Sequence, residues 1–187
     1  KYIDRDVSDK PDLMYEYQFN TIFSYAKKEN VDAIIVAAGS IGCFAPRENI
    51  AQMLKMFDGI PCVLVSYKMD EYINILFDNY TGIKEGIDYL IDRTGCRKIG
   101  MIGGRLDNTD AAERKKAFED ILASHGIEFS DRAYVSGNYS KDSIGVARTL
   151  LDNNPDLDAI FCVNDDTAFG LYEELNRRGI QIGKDIH

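Results

Sequence analysis

The chain has 187 residues, of which 45% are hydrophobic and 28% are charged, and its formal net charge is -9 at neutral pH. This composition is typical of a soluble globular protein and excludes collagen, wholesale disorder and a small disulfide-stapled scaffold. The apolar runs fall far short of the roughly 18 residues that a membrane-spanning helix needs. A chain this acidic is also a poor candidate for holding a nucleic-acid backbone by itself.

Short β-branched runs alternate with amphipathic helical stretches along the chain. A polar start precedes a helix predicted over residues 15–28, and the clearest strands are predicted at 33–37, 62–65, 98–102 and 159–163, with a short one near 75–77. These strands are apolar at nearly every position, which is typical of strands covered on both faces. The alternation predicts an α/β fold of parallel strands joined by helical crossovers.

The helical segments carry recognisable start and stop signals. A stripe of Ile83, Ile87 and Ile91 is followed by Gly95, and the spacing of Asp110 to Glu113 predicts a capping box with the aspartate as the cap. Further helices are predicted over 140–151 and over 165–178, the last ending at Gly179.

Ligands of open α/β sheets bind beyond the carboxyl ends of the strands. The residues at those positions are small, hydroxyl, amide or carboxylate groups: Gly39, Ser40, Ser66, Tyr67, Asp78, Asn79, Gly103, Gly104, Arg105, Asn164 and Asp165. Such groups suit a neutral polar ligand better than a phosphate. No nucleotide-binding glycine loop and no GxSxG nucleophile elbow is present, and Gly103-Gly104 is interpreted as a turn rather than as a ligand contact.

Several polar residues at or near strand ends have two interpretations. Asp110 and Arg114, one helical turn apart, form either an exposed ion pair or part of a cleft. Asn164 opens a helix-capping cluster, yet its amide can face a crevice. Tyr139 is either a surface tyrosine or a ring that stacks on a sugar.

Little in the sequence favours catalysis or a cofactor. The cysteines (Cys43, Cys62, Cys96 and Cys162) form no CxxC pair, which favours a reduced, intracellular setting. Two histidines leave little material for a metal site or a catalytic triad. We therefore expect no cofactor, no metal and no enzymatic activity, although the Asp165-Asp166 pair leaves acid and base chemistry as a remote alternative.

Taken in order, the motifs resemble the effector-binding core of the LacI/GalR family, which shares the type I periplasmic sugar-binding fold. The matching segments run from about Tyr15 onwards and are 31–36, 60–65, 78–82, 95–99, 112–118, 125–127, 137–139 and 158–165. The resemblance implies two Rossmann-like lobes, over residues 1–80 and 81–187, both partial. The first strands and first helix are expected before Lys1, and the final strand after His187.

The resemblance also implies a set of ligand-binding residues. Arg114 would bind ligand hydroxyls with help from Asp110, while Asn164 and Tyr139 would line the cleft. Asp165 is included as a strand-end carboxylate. Ser66 stands where many family members carry an acid, and we include it in the predicted set.

The predicted function is that of a sensor domain of a LacI-type bacterial transcription regulator that binds a small sugar-like metabolite between its lobes. The resemblance implies a cytoplasmic homodimer that binds DNA only through a headpiece absent from this chain, and no membrane segment. Two alternatives remain open: the same sensor fused to a signalling output such as a diguanylate cyclase, and the sugar-binding protein of a transporter. Four unpaired cysteines argue against the transporter protein.

Overall fold

Within the described residues, the fold is organised by two three-stranded parallel sheets, one in each half of the chain. A computed structural model describes residues 16–41, 45–106, 108–137 and 143–187. The chain divides into two units that meet in sequence between Phe77 and Asp78. We call them the first and the second unit. The boundary predicted from the sequence lies after residue 80.

The first unit is built on strands β1 to β3, in that order across the sheet. They are β1 (Ile34–Val36), β2 (Cys62–Val65) and β3 (Ile73–Ile75). Its helices are a 3-10 helix (Glu16–Tyr25), α1 (Ala38–Ile41) and α2 (Arg47–Leu54), which runs into a 3-10 turn (Lys55–Phe57). The first segment predicted as helical, residues 15–28, is therefore a 3-10 helix that ends at Tyr25, three residues earlier than expected.

One face of the first sheet carries the core of this unit. Val36 and Leu64 pack there against Ile50, Met53 and Leu54 of α2, and all five are buried. The pairing register puts Ile35, Val63 and Ile73 side by side on the other face, where Ile35 is 76% and Ile73 69% exposed. Within the described residues, the core of this unit therefore lies on one face of the sheet, whereas strands covered on both faces were predicted.

The second unit has its strands in the order β5-β4-β6, all parallel. They are β4 (Ile99–Gly103), β5 (Tyr134–Ser136) and β6 (Ala159–Cys162). The helices are α3 (Asn79–Asp92), α4 (Thr109–Ser124), α5 (Ile144–Asn153) and α6 (Asp165–Arg178), with a 3-10 turn (Asp131–Ala133) before β5. Among the helices of the described segments, none has the length and apolar character that crossing a bilayer requires.

The central strand β4 is buried along its whole length because both of its faces are covered. Met101 packs with Ile87 of α3 and Phe118 of α4. Its neighbour Ile102 packs instead with Leu150 of α5 and Leu171 of α6. Side chains alternate across a strand, so a strand between two helical layers must be apolar at every position.

Several predicted elements differ from the structure in their bounds or were not predicted. Strand β3 lies two residues before the predicted 75–77, and the three-residue strand β5 has no counterpart in the sequence prediction. The predicted start of the helix at Ser140 lies outside the described residues, and the described helix is Ile144–Asn153. By contrast, α6 begins and ends as predicted, with Gly179 in the left-handed conformation at φ 70°.

The N-terminal cap of α4 is Asn108 rather than the predicted Asp110. The Oδ1 atom of Asn108 accepts a hydrogen bond from the Ala111 amide at 3.0 Å. Asp110 lies in the first turn instead, where its negative charge complements the helix dipole. An asparagine two positions earlier is an equally good cap residue, so the spacing of Asp110 and Glu113 did not identify the cap.

A fully buried carboxylate joins α5 to α6. Glu174 is 0% exposed and accepts hydrogen bonds from Arg177 at 2.6 and 2.9 Å, from Arg178 at 2.8 Å and from Arg148 of α5 at 3.4 Å. Arg178 also donates to Asp152 on α5 at 2.6 Å. The hydrogen bonds from Arg177 above all, and those from Arg178 and Arg148, hold the pKa of Glu174 well below its usual range.

This lowered pKa predicts an acid-dependent loss of stability. The contribution of Glu174 is complete above its unfolded pKa of about 4.3 and is lost as the pH falls through the lower folded pKa. Urea unfolding of the wild type and of Glu174→Gln should therefore differ most near neutral pH, and the difference should shrink below about pH 4. Glu173→Gln, on the exposed side of the same helix, is the control and should follow the wild type. A Glu174→Gln difference that stays constant across the acid range would contradict the prediction.

Candidate functional site

We call the part of the second unit where β6 ends and α3 begins the strand-end edge. Arg114, on the second turn of α4, is held there by two hydrogen bonds. Its Nε donates a hydrogen bond to Oδ1 of Asn79 at 2.9 Å, and its Nη1 donates to the carbonyl of Val163 at 2.8 Å. The side chain is half-buried. Among the described residues, Nη2 has no hydrogen-bond partner, so this end of the guanidinium retains its donors.

Asn79 joins Arg114 to two carboxylates. It is the first residue of α3 and is 8% exposed. Its Nδ2 donates to Asp110 at 3.3 Å and to Glu113 at 3.1 Å. The structure thus brings the predicted residues Asp110 and Arg114 together through Asn79. From the sequence, Asn79 was predicted to lie at a strand end, and no role was predicted for it.

Asn164 follows the Val163 carbonyl that Arg114 contacts, and it caps α6. Its Oδ1 accepts from the Thr167 amide at 3.0 Å, and the Thr167 hydroxyl donates to the Asn164 carbonyl at 2.8 Å. Its Nδ2 has no partner within the part of the chain that the structure describes. Asp165, the next residue, is exposed in the first turn of α6.

The remaining two predicted residues are placed differently. Ser66 belongs to the first unit, where it follows β2 with a φ of 58°. Its backbone amide donates a hydrogen bond to the Ile75 carbonyl at 2.9 Å. A φ in this range is uncommon for a residue with a side chain. Tyr139 lies outside the described residues, so its place in the site stays a prediction.

Gly103 is a packing position as much as a turn. A Cβ atom there would lie 2.4 Å from Cε2 of Tyr134. The tyrosine ring is held in place because its hydroxyl donates to the Gly104 carbonyl at 3.1 Å and Lys115 Nζ lies 5.0 Å from the ring centroid. The absence of a side chain at Gly103 therefore lets β5 approach the end of β4.

An apolar hollow of about 210 Å³ lies beside β6 and α6, and Arg114 is not among its lining residues. Its lining includes Ile160, Cys162, Leu171, Leu175 and Ile186. Burial raises the pKa of the Cys162 thiol to about 12. Of the four cysteines, the three that lie in described segments are free thiols.

Parallel sheets flanked by helices, with polar groups gathered at strand ends, define the chain as an α/β protein with parallel sheets. More specifically, the chain belongs to the family of periplasmic binding protein-like domains, which it matches over residues 87–187, more than half of its length. The resemblance to LacI/GalR effector-binding domains and the parallel α/β architecture, both predicted from sequence, are confirmed.

Named relatives include a transcriptional repressor and a catabolite control protein. The chain is 28% identical to the HTH-type transcriptional repressor PurR of Vibrio atlanticus over 176 residues, 92% of this chain and 51% of the relative. It is 25% identical to the catabolite control protein A of Staphylococcus epidermidis over 168 residues, 88% of this chain and 48% of that protein. The chain thus spans about half the length of these relatives.

A solved structure of similar fold is the complex of the transcriptional regulator CelR with cellobiose. It superposes with a TM-score of 0.75 at 23% identity and covers 92% of this chain and 52% of its own. At this identity the likeness shows the fold alone.

Replacement of Gly103 by alanine should destabilise the second unit. The new methyl group must displace the fixed Tyr134 ring, and overpacking of this kind costs about 1–3 kcal/mol. Gly86→Ala is the control, because nothing lies within 4 Å of a Cβ at that position in α3 and alanine in a helix stabilises by about 0.5–1 kcal/mol relative to glycine. Urea unfolding of both variants measures the difference. A Gly103→Ala variant as stable as the wild type would contradict the packing role of Gly103.

Cys162 should be nearly inert to alkylation in the folded protein. With a pKa of about 12, about one thiol in ten thousand is ionised at about pH 8, and the thiolate is the reactive form. Iodoacetamide labelling followed by mass spectrometry should modify Cys162 slowly in the native state and rapidly in urea. Equal rates in the two conditions would contradict the raised pKa of this thiol.

Proposed function

We propose that this chain is the effector-binding domain of a LacI-type bacterial transcription regulator and that it binds a small, uncharged, sugar-like metabolite. The relatives named above are transcription regulators and not enzymes. They cover nearly the whole chain while extending to about twice its length, which fits a sensor domain within a larger regulator. No relative that we describe favours a cyclase fusion or a transporter protein.

The observation that carries this proposal is the anchored guanidinium of Arg114. Two of its nitrogens are held by the protein, at 2.9 Å and 2.8 Å, so its orientation is fixed before any ligand arrives. Preorganised donors of this kind raise affinity because they lose little freedom on binding. The free Nη2 of Arg114 and the Nδ2 of the neighbouring Asn164 supply donors for ligand oxygens.

The charges around Arg114 favour a neutral ligand. Asp110 and Glu113 share the amide of Asn79 with Arg114, and Asp165 stands one residue beyond Asn164. Three carboxylates against one guanidinium leave the site acidic, and like charge disfavours an anionic ligand. A polyol both donates to carboxylates and accepts from Arg114. For Ser66 and Tyr139 a ligand contact is proposed from the sequence alone.

The regulator is proposed to be a cytoplasmic homodimer without enzymatic activity. DNA contacts are assigned to a headpiece elsewhere in the full-length protein, because the net charge of -9 on this chain opposes binding to a phosphate backbone. Effector binding would shift the regulator between conformations with different affinities for DNA.

A thermal-shift screen of neutral sugars, sugar acids and nucleobases against the intact regulator tests the proposal. A ligand that binds only the folded state raises the melting temperature, and we expect the shift from a neutral sugar. A shift with sugar acids alone would contradict the neutral ligand, and no shift with any class would contradict the effector role.

Arg114→Ala should weaken the binding of the sugar found in that screen by about 1.5–3 kcal/mol, the range for losing a hydrogen bond to a charged group. Isothermal titration calorimetry measures the change. Arg132→Ala is the control. Arg132 is an exposed residue in the 3-10 turn before β5, and its substitution removes the same charge from the same unit. Equal affinities for Arg114→Ala and Arg132→Ala would place the ligand elsewhere.

A further inference from the structure

We propose that Asn79 is a positioning residue, which sets the orientation of the Arg114 guanidinium and thereby decides which of its N–H groups meet the effector. The proposal rests on the proposed function and adds a residue that acts through Arg114 rather than on the ligand. The buried amide of Asn79 contacts one guanidinium and two carboxylates.

The place of Asn79 is fixed by the start of α3. The side chain of Asp78 accepts a hydrogen bond from the Thr81 amide at 3.0 Å, which caps the helix. Asn79 follows as the first helical residue and is buried, whereas the next residue, Tyr80, is 51% exposed. A buried amide must have its donors and acceptor satisfied, and Asn79 satisfies them on α4.

The surrounding charges allow only one orientation of the amide. Its Nδ2 lies against Asp110 at 3.3 Å and Glu113 at 3.1 Å, and carboxylates accept only. Its Oδ1 lies against Arg114 Nε at 2.9 Å, and a guanidinium donates only. A flipped amide would turn its NH₂ toward the guanidinium and its oxygen toward the carboxylates. Both contacts would then be repulsive, so the amide is locked.

A locked Asn79 oxygen removes one of the binding edges of Arg114. A guanidinium receives a carboxylate side-on through Nε and Nη2, or end-on through its two terminal nitrogens. Because Nε is committed to Asn79, the side-on edge is closed to the effector. The Val163 carbonyl takes one donor of Nη1, which leaves Nη2 as the group that faces a ligand oxygen.

The charge pattern also explains why an asparagine suits this position. An aspartate would keep the acceptor for Arg114 but would bring a third negative charge beside Asp110 and Glu113. A leucine of similar size would leave the Nε of Arg114 and both carboxylates without the amide between them. The two substitutions therefore separate the loss of the acceptor from the loss of the donor.

Hydrogen exchange at the Arg114 Nε–H, followed by NMR on the intact protein with labelled arginine, tests the proposal without an effector. In the wild type this proton should exchange more slowly than that of Arg93, which is exposed and has no side-chain hydrogen bond among the described residues. In Asn79→Leu the rate should rise at least about tenfold, the smallest factor expected for losing a hydrogen bond to a charged group. In Asn79→Asp, which keeps the acceptor, the proton should stay protected.

Asn154→Leu is the matched control. Asn154 is also an amide with two structural hydrogen bonds, to the carbonyls of Arg132 at 2.8 Å and Leu150 at 2.9 Å, and it does not contact Arg114. Its substitution should lower stability without changing exchange at Arg114. The Nε–H of Arg178, which donates to Glu174 at 2.8 Å, should stay protected in every variant and reports that the unit remains folded.

Three results would overturn the proposal: unchanged exchange at Arg114 in Asn79→Leu, loss of protection in Asn79→Asp equal to that in Asn79→Leu, or wild-type exchange as fast as at Arg93. The last comparison holds even if Asn79→Leu does not fold. Because no effector is used, these results are independent of the thermal-shift screen, and the failure of either experiment is distinguishable from that of the other.

Discussion

The two hydrogen bonds that Arg114 donates hold together the strand-end edge of the second unit. They join the start of α3 through Asn79, and the end of β6 through the Val163 carbonyl, to the helix α4 that carries Arg114. Hydrogen bonds to a charged group contribute about 1.5–3 kcal/mol each, which is comparable to burying a leucine side chain. Unlike apolar packing, hydrogen bonds also depend on direction, so these two bonds fix the orientation of the guanidinium.

The parts of the fold that were predictable are those whose burial leaves a pattern along the sequence. Strand β4 was found within one residue because Met101 and Ile102 belong to two different cores, which makes every position apolar. Strand β5 is three residues long, lies at the sheet edge and is partly exposed, so no run of residues marks it. The prediction placed strand β3 two residues too late. The Asn74 side chain donates hydrogen bonds to the carbonyls of Met69 and Tyr72, and a hydrophobicity pattern does not encode such a contact.

The candidate site divides in the same way. Topology alone pointed to Asn164 and Asn79, since the carboxyl ends of parallel strands gather at one edge, and the family resemblance added Arg114. The hydrogen bonds that give Asn79 its role reach 31 to 35 positions along the chain. Which atoms meet over that separation depends on how α3 packs on α4, and no spacing rule contains it. The wrong cap at Asp110 has a related cause, because a cap is a local geometry that two nearby polar residues satisfy equally well on paper.

The sequence posed capping and ligand binding as competing interpretations of Asn164, and the geometry makes them compatible. Capping uses only Oδ1, which accepts from the Thr167 amide, while a ligand contact would use Nδ2. The cap therefore orients the amide, and its Nδ2 has no partner among the described residues. Arg114 follows the same principle, since the bonds of Nε and Nη1 to the protein orient Nη2. In both side chains the structural bond is the reason that the remaining donor has a fixed direction, so removing the structural partner should degrade recognition even where no ligand contact is touched.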